Sequence, residues 1–278
     1  MRTIDKLEKL IEDLHHANSS HLAFSIEVSH FLHVWERYQN HDHSEPPVIA
    51  DNENQELLKN LLDLKKLYIY KHWLTNRGQS DTFALQSLDK LETLIIISLS
   101  IEKISIPHLN LTTLHLKNCI FDPICFESLF SDVYPCLKKL DISGNRLSTA
   151  INFGSIPNVV HLNLSHNEFK YIPEGIGTLV FLATLNLSYN FITTIATELE
   201  NVPSCSQLNL RSNRLKSLNG LENFTKLEKI DLSQNLICSL HEIRHIRGTR
   251  IKSLWIFENP ISLKVFIFNS EKLSQPFV

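Results

Sequence analysis

Apolar and polar positions alternate along residues 137–261 in one arrangement written six times: CLKKLDISGNRL, NVVHLNLSHNEF, FLATLNLSYNFI, SCSQLNLRSNRL, KLEKIDLSQNLI and RIKSLWIFENPI. Each carries the frame L-x-x-L-x-L-x-x-N-x-L, opening at Leu137, Val159, Leu182, Cys205, Leu227 and Ile251, a period of 22 to 24 residues. The alternation in the middle of the frame predicts a short strand. Leu140/Ile142, Leu162/Leu164 and Leu185/Leu187 then enter one core, and the residues between them form the opposite surface. Each strand ends near an asparagine: Asn145, Asn167, Asn190, Asn213, Asn235 or Asn259. An Asn amide both donates and accepts, so burial at the bend predicts a ladder of side-chain bonds joining neighbouring coils.

One such unit cannot bury its own apolar face. A stack of them buries a continuous core and leaves an extended concave surface. The period and frame are those of leucine-rich repeats. The expected fold is therefore an α/β solenoid, a leucine-rich-repeat horseshoe with a parallel concave sheet. Three less regular frames precede the six, at Leu64/Leu67/Ile69, Leu91/Leu94/Ile96 and Leu111/Leu114/Leu116. Their ladder positions hold His72, Leu99 and Cys119, and their uneven spacing predicts variable convex segments. About nine repeats are expected over residues 64–262.

The first 45 residues differ. Ile4, Leu7, Leu10, Ile11 and Leu14 recur at helical spacing after Thr3, a suitable N-cap. Phe24, Val28, Phe31 and Trp35 predict a second helix running to about Tyr38. The pair reads as an amino-terminal helical hairpin that caps the first repeat. Residues 46–63, with Pro46 and Pro47, read as a linker and short helix, and residues 263–278 as a tail or partial cap.

Charge and cysteine usage narrow the function. The 278-residue chain has a formal charge of −3, seven glycines and no Lys/Arg run. This argues against nucleic acid held through phosphates. The first 45 residues carry −4 and seven of the fourteen histidines. His41-x-His43 beside Asp42 and Glu45 lacks a second ligand pair at a recognisable spacing, so no metal is expected. No apolar run is long enough to span a bilayer, so no membrane insertion is expected. The five cysteines show no C-x-x-C spacing, which suits an intracellular, reducing compartment: the cytoplasm, with the nucleus as alternative. Phosphate-binding and metalloprotease motifs are absent, and Asp141 and Asp231 sit where the frame itself favours Asp or Asn. The chain reads as no enzyme, with no cofactor.

The stretch LNLRSNRLKSLNGLENFTKLEKIDLSQNLICSL…LWIFENPIS, residues 208–262, resembles the closing repeats of two related cytoplasmic leucine-rich-repeat proteins. These are nischarin and the protein that interacts with the liver tumour-suppressor serine/threonine kinase (kinase 11). More distantly it is similar to the phosphatase-regulating 22-residue repeat class. The resemblance implies an intracellular repeat domain that engages proteins. Kinase, integrin or endosome functions tied to other parts of those relatives are not implied.

The expected function is thus a non-catalytic scaffold or adaptor, monomeric by itself, that binds an intracellular protein of the kinase, phosphatase or small-GTPase class on its concave face. A constitutive structural subunit of a cytoskeletal or ribonucleoprotein assembly is the alternative. Candidate contact residues are departures from the frame's usual outward Asn, Asp and Ser: His161, His166, Tyr189, Gln207 and Arg211 in the centre. Tyr68 and Tyr70, with Ile95 and Ile97, mark one end, and Trp255 and Phe257 the other. Aromatic and Arg side chains are the usual energetic anchors of protein interfaces. Tyr189 and Arg211, one frame position apart on adjacent strands, are expected to converge.

Overall fold

The computed structural model describes residues 22–24, 65–70, 81–85, 88–121, 123–149, 152–195, 204–247 and 249–261. In chain order the strands are β1 (Leu22–Phe24), β2 (Lys66–Tyr70), β3 (Asp81–Ala84), β4 (Thr93–Ile97), β5 (Ser100–Ser105), β6 (Thr113–Lys117) and β7 (Ile120–Phe121). After helix α1 (Pro123–Leu129) come β8 (Lys139–Asp141), β9 (His161–Asn163), β10 (Thr184–Asn186), β11 (Gln207–Asn209), β12 (Lys229–Asp231) and β13 (Ser253–Trp255).

Ten of these strands form a parallel sheet in the order β1-β2-β4-β6-β8-β9-β10-β11-β12-β13. Equivalent frame positions stand side by side, as in Leu140 with Leu162 and Leu185 with Leu208. Leu140, Ile142, Leu162, Leu164, Leu185 and Leu187 are all buried in one core that continues through the irregular repeats as Leu94, Ile96, Leu114 and Leu116. The irregular frames therefore stack in the same register as the regular ones.

The expected ladder is present. Asn167 Nδ2 donates to the carbonyls of Ile142 (3.1 Å) and Leu164 (3.0 Å), while its Oδ1 accepts from the Asn145 and Leu147 amides. Asn213 bonds likewise to Leu187 and Leu210 and accepts from Ile192 N at 2.9 Å. Burying this amide is tolerable because its donors and its acceptor are matched. Just before each described ladder position the chain turns left-handed: Ser98, Asn118, His166, Tyr189, Ser212, Gln234 and Glu258 have φ of 51 to 59°, and Gly144 has 73°. The amide of the turning residue itself bonds to the neighbouring coil, as when Tyr189 N donates to Arg211 O at 2.8 Å.

The convex side changes along the chain. Among the early repeats it holds a second parallel sheet, β3-β5-β7. After it, Phe121, Phe126, Phe130 and Tyr134 form a run of tilted and edge-to-face ring contacts beside α1, with centroids 5.3 to 5.9 Å apart. The later repeats close with short 3-10 turns, such as Ile176–Thr178 and Leu221–Asn223.

One expectation needs correcting. Leu22–Phe24, assigned above to a helix, form strand β1, paired in parallel register with Leu67, Tyr68 and Ile69. An open edge of β2 offers main-chain groups that must be paired, and an extended segment satisfies them where a helix cannot. The rest of the hairpin, the linker and the tail from residue 262 lie outside the described residues.

Candidate functional site

On the concave face, three outward positions per frame stand in rows across the strands. The middle row is largely committed to structure. Asp141, Asn163, Asn186, Asn209 and Asp231 each accept a bond from the amide two residues on, at 2.9 to 3.1 Å, which fixes the turn at the strand end. These carboxylates and amides belong to the scaffold.

The carboxyl-terminal half of that face contains a concavity of about 660 Å³. Gln207, Arg211, Trp255 and Phe257 line it, together with Lys229 and Asp231. Four of the sequence-derived candidates are thus brought together. Trp255 is 40% and Phe257 53% exposed, so two aromatic faces stand open at one end. Arg211 Nε donates to Gln234 Oε1 at 3.1 Å, and Gln234 Nε2 donates in turn to Glu258 Oε2 at 2.6 Å. This chain orients the Arg211 fork.

Tyr189 and Arg211 lie on neighbouring coils, but their side chains do not converge. Tyr189 occupies the left-handed position, which carries its ring along the rim of the sheet, where it stacks on His166 with centroids 4.2 Å apart and planes 8° from parallel. Arg211 sits one frame position earlier and engages Gln234. His161 lies nearer the middle, its Nδ1 2.8 Å from Thr184 Oγ1. Tyr68 and Tyr70 lie in β2 beside Ile95 and Ile97 of β4.

Two groups were missed in the sequence. Lys229 shares a row with Gln207, and its charge at an outward position was a readable signal. Phe191 carries the Arg214 guanidinium 4.6 Å above its ring, a rim contact next to Tyr189. Further along the concave face, Asp141 is paired with Lys117 at 2.8 Å. Burial works against its charge, but bonds from Lys117, Ser143 and Asn163 outweigh that and hold the carboxyl below its ordinary value. Burial pushes His115 down, aided by Lys117 and Lys139 and opposed by Asp141. Burial pushes the Cys119 thiol up to about 11 and that of Cys205 to about 12, so both act as packing residues rather than nucleophiles. Among the described residues no group of His, Cys, Asp and Glu has the makings of a metal site, and no helix is long and apolar enough to cross a membrane.

Comparison with known proteins agrees with this architecture. The NXF1/2/3/5 leucine-rich repeat domain model matches residues 178–275, and the general leucine-rich repeat model matches 136–157 and 158–179. An uncharacterised leucine-rich-repeat protein of Schizosaccharomyces pombe is 39% identical over 124 residues, 42% of this chain and 20% of that protein. The protein phosphatase 1 regulatory inhibitor subunit PPP1R7 homolog of Arabidopsis thaliana is 31% identical over 181 residues, covering 59% of this chain and 55% of the relative. Human serine/threonine-protein kinase 11-interacting protein is 31% identical over 129 residues, 46% of this chain and 11% of its own length. The chain thus spans only part of each of these relatives. Repeating frame, buried asparagine ladder and parallel sheet, together with these matches, show that the chain carries a leucine-rich-repeat solenoid.

Proposed function

We propose that the chain is a non-catalytic scaffold that holds an intracellular protein partner in the concavity between β10 and β13. The observation that carries this reading is the convergence there of Trp255, Phe257 and Arg211, aromatic and guanidinium groups of the kind that anchor interfaces, with Lys229 beside them, on a face whose middle row is largely committed to the fold. The names of two relatives, a phosphatase regulatory subunit homolog and a kinase-interacting protein, support a signalling enzyme as the partner class. The cytoplasm is the proposed site of action, and the free chain is proposed to be a monomer.

The test is affinity capture with the full chain, followed by binding measurements with W255A/F257A. Both side chains are exposed and outside the core, so folding should be retained while affinity falls by roughly 1–4 kcal/mol, about tenfold per 1.4 kcal/mol. Unchanged affinity for every captured protein would move the docking face elsewhere.

A further inference from the structure

We infer that the element seated in this concavity is an acidic polypeptide segment bearing one apolar anchor side chain. Its carboxylates meet Arg211 and Lys229, and its anchor lies against Trp255 and Phe257. The inference rests on the concave-face reading above and adds the chemistry of the partner.

Charge is the first observation. The three outward positions of each concave frame, from β2 to β13, carry Lys66, Lys117, Lys139, Arg211 and Lys229 against Asp141 and Asp231, a net +3 on a chain of net −3. The concave face is thus opposite in sign to the molecule as a whole, which favours encounter with an acidic partner in the productive orientation.

The second observation is which of these charges are already used. Asp141 is neutralised by Lys117 and bonded by Ser143 and Asn163. Asp231 Oδ1 accepts from Ser233 N at 2.9 Å. By contrast, the Lys229 ammonium and the two terminal nitrogens of Arg211 have no partner among the described residues. Arg211 spends only its Nε, on Gln234, which leaves the end of the fork free to grip a carboxylate while its plane is held.

The third observation is the pairing of these cations with Trp255 and Phe257 in one concavity. A segment of uniform charge would leave both rings against water, whereas one apolar side chain among the carboxylates would cover them. A nucleic-acid strand fits less well. Arg211 and Lys229 are the two cations lining the concavity, too few to hold a continuous line of phosphates, whereas two spaced carboxylates match them one to one.

The experiment uses the full chain and labelled probes of equal length, read by fluorescence anisotropy. They are a Glu/Asp-rich peptide with one central Phe, its charge-inverted Lys version, its Phe-to-Gly version, and an oligouridylate. The acidic Phe peptide should bind, and more weakly as salt rises. The Lys and Gly versions should bind at least about tenfold more weakly. R211E/K229E should weaken the acidic peptide about tenfold or more while its melting curve matches wild type. Equal or tighter binding of the Lys peptide or of the oligouridylate overturns the inference, as does unchanged affinity in R211E/K229E. With a captured natural partner, loss of binding in W255A/F257A but not in R211E/K229E sinks the acidic segment alone. Retention by both variants removes the concave-face reading as well.

Discussion

The early and late repeats share one core and one concave sheet but fasten their coils differently. In the late repeats a buried Asn joins each coil to the one before, as Asn235 does to Leu210 O (2.9 Å) and Leu215 N (3.0 Å). In the early repeats Leu99 and Cys119 occupy that position, and the backbone just beyond it pairs directly: Ser100 with Ile120 and Ile101 with Phe121, in the convex sheet. The amide that an Asn side chain would otherwise satisfy is satisfied by another strand. Cys119 adds only weak contacts, its thiol 3.3 Å from Lys117 O and 3.8 Å from Ile96 O. The two halves show that the fold requires its buried amides to be paired, by whichever group is available.

The largest effect should be common to both halves. Leu187→Ala and Leu116→Ala, at the same frame position and both fully buried, should each cost about 2–5 kcal/mol in denaturant unfolding. A marked difference between them would show that the core is not shared. Next, Asn213→Ala strands Ile192 N and removes one of the two amide donors on the Leu187 and Leu210 carbonyls, which keep Asn190 and Asn235, and should cost about 2 kcal/mol, whereas Cys119→Ala should cost about 1. Equal losses would break the contrast.

At the junction, Gly144→Ala should cost about 2 kcal/mol. Its φ is 73°, and an added Cβ would stand 2.0 Å from Asn118 Oδ1. Gly175→Ala has a similar φ but meets nothing nearer than 3.5 Å, so it should lose about 1 kcal/mol.

His115 gives a pH signature to the early half. Its folded pKa lies below 6.5, so the unfolded chain binds more protons, and the stability that neutral His115 allows is present above 6.5. It is lost as pH falls through 6.5 towards the lowered value. Relative to wild type, H115Q should flatten the decline of melting temperature below pH 6.5; a parallel decline would assign the effect to other histidines. Smallest of all, Cys119→Asn should change stability by no more than about 1 kcal/mol, because Ile96 O and Lys117 O already face that side chain.

Much of this was legible in the chain. The period-two alternation in LDI, LNL and IDL gave strands, and Asn at a fixed offset gave the ladder. Elsewhere local patterns competed. Leu22, Phe24, Ile26 and Val28 alternate with period two while Phe24, Val28, Phe31 and Trp35 follow helical spacing, and the free edge of β2 decides for strand at Leu22–Phe24. The convex strand β5 places Ile101 and Ile104 three apart, and its pairing with β3 shifts register between Asp81 and Thr82, so no simple period announced it. In the candidate site, Trp255, Phe257, Gln207 and Arg211 were visible as departures from the frame. The separation of Tyr189 from Arg211 was not, because it depends on a left-handed turn that the frame does not spell out.

The most direct test of concave-face docking is amide hydrogen exchange on the full chain, with and without a captured partner. Protection should rise in peptides covering 205–211, 228–234 and 252–258, and remain unchanged on the convex segments 169–178 and 215–224. Protection confined to the convex segments, or to the rim around His166 and Tyr189, would contradict the account.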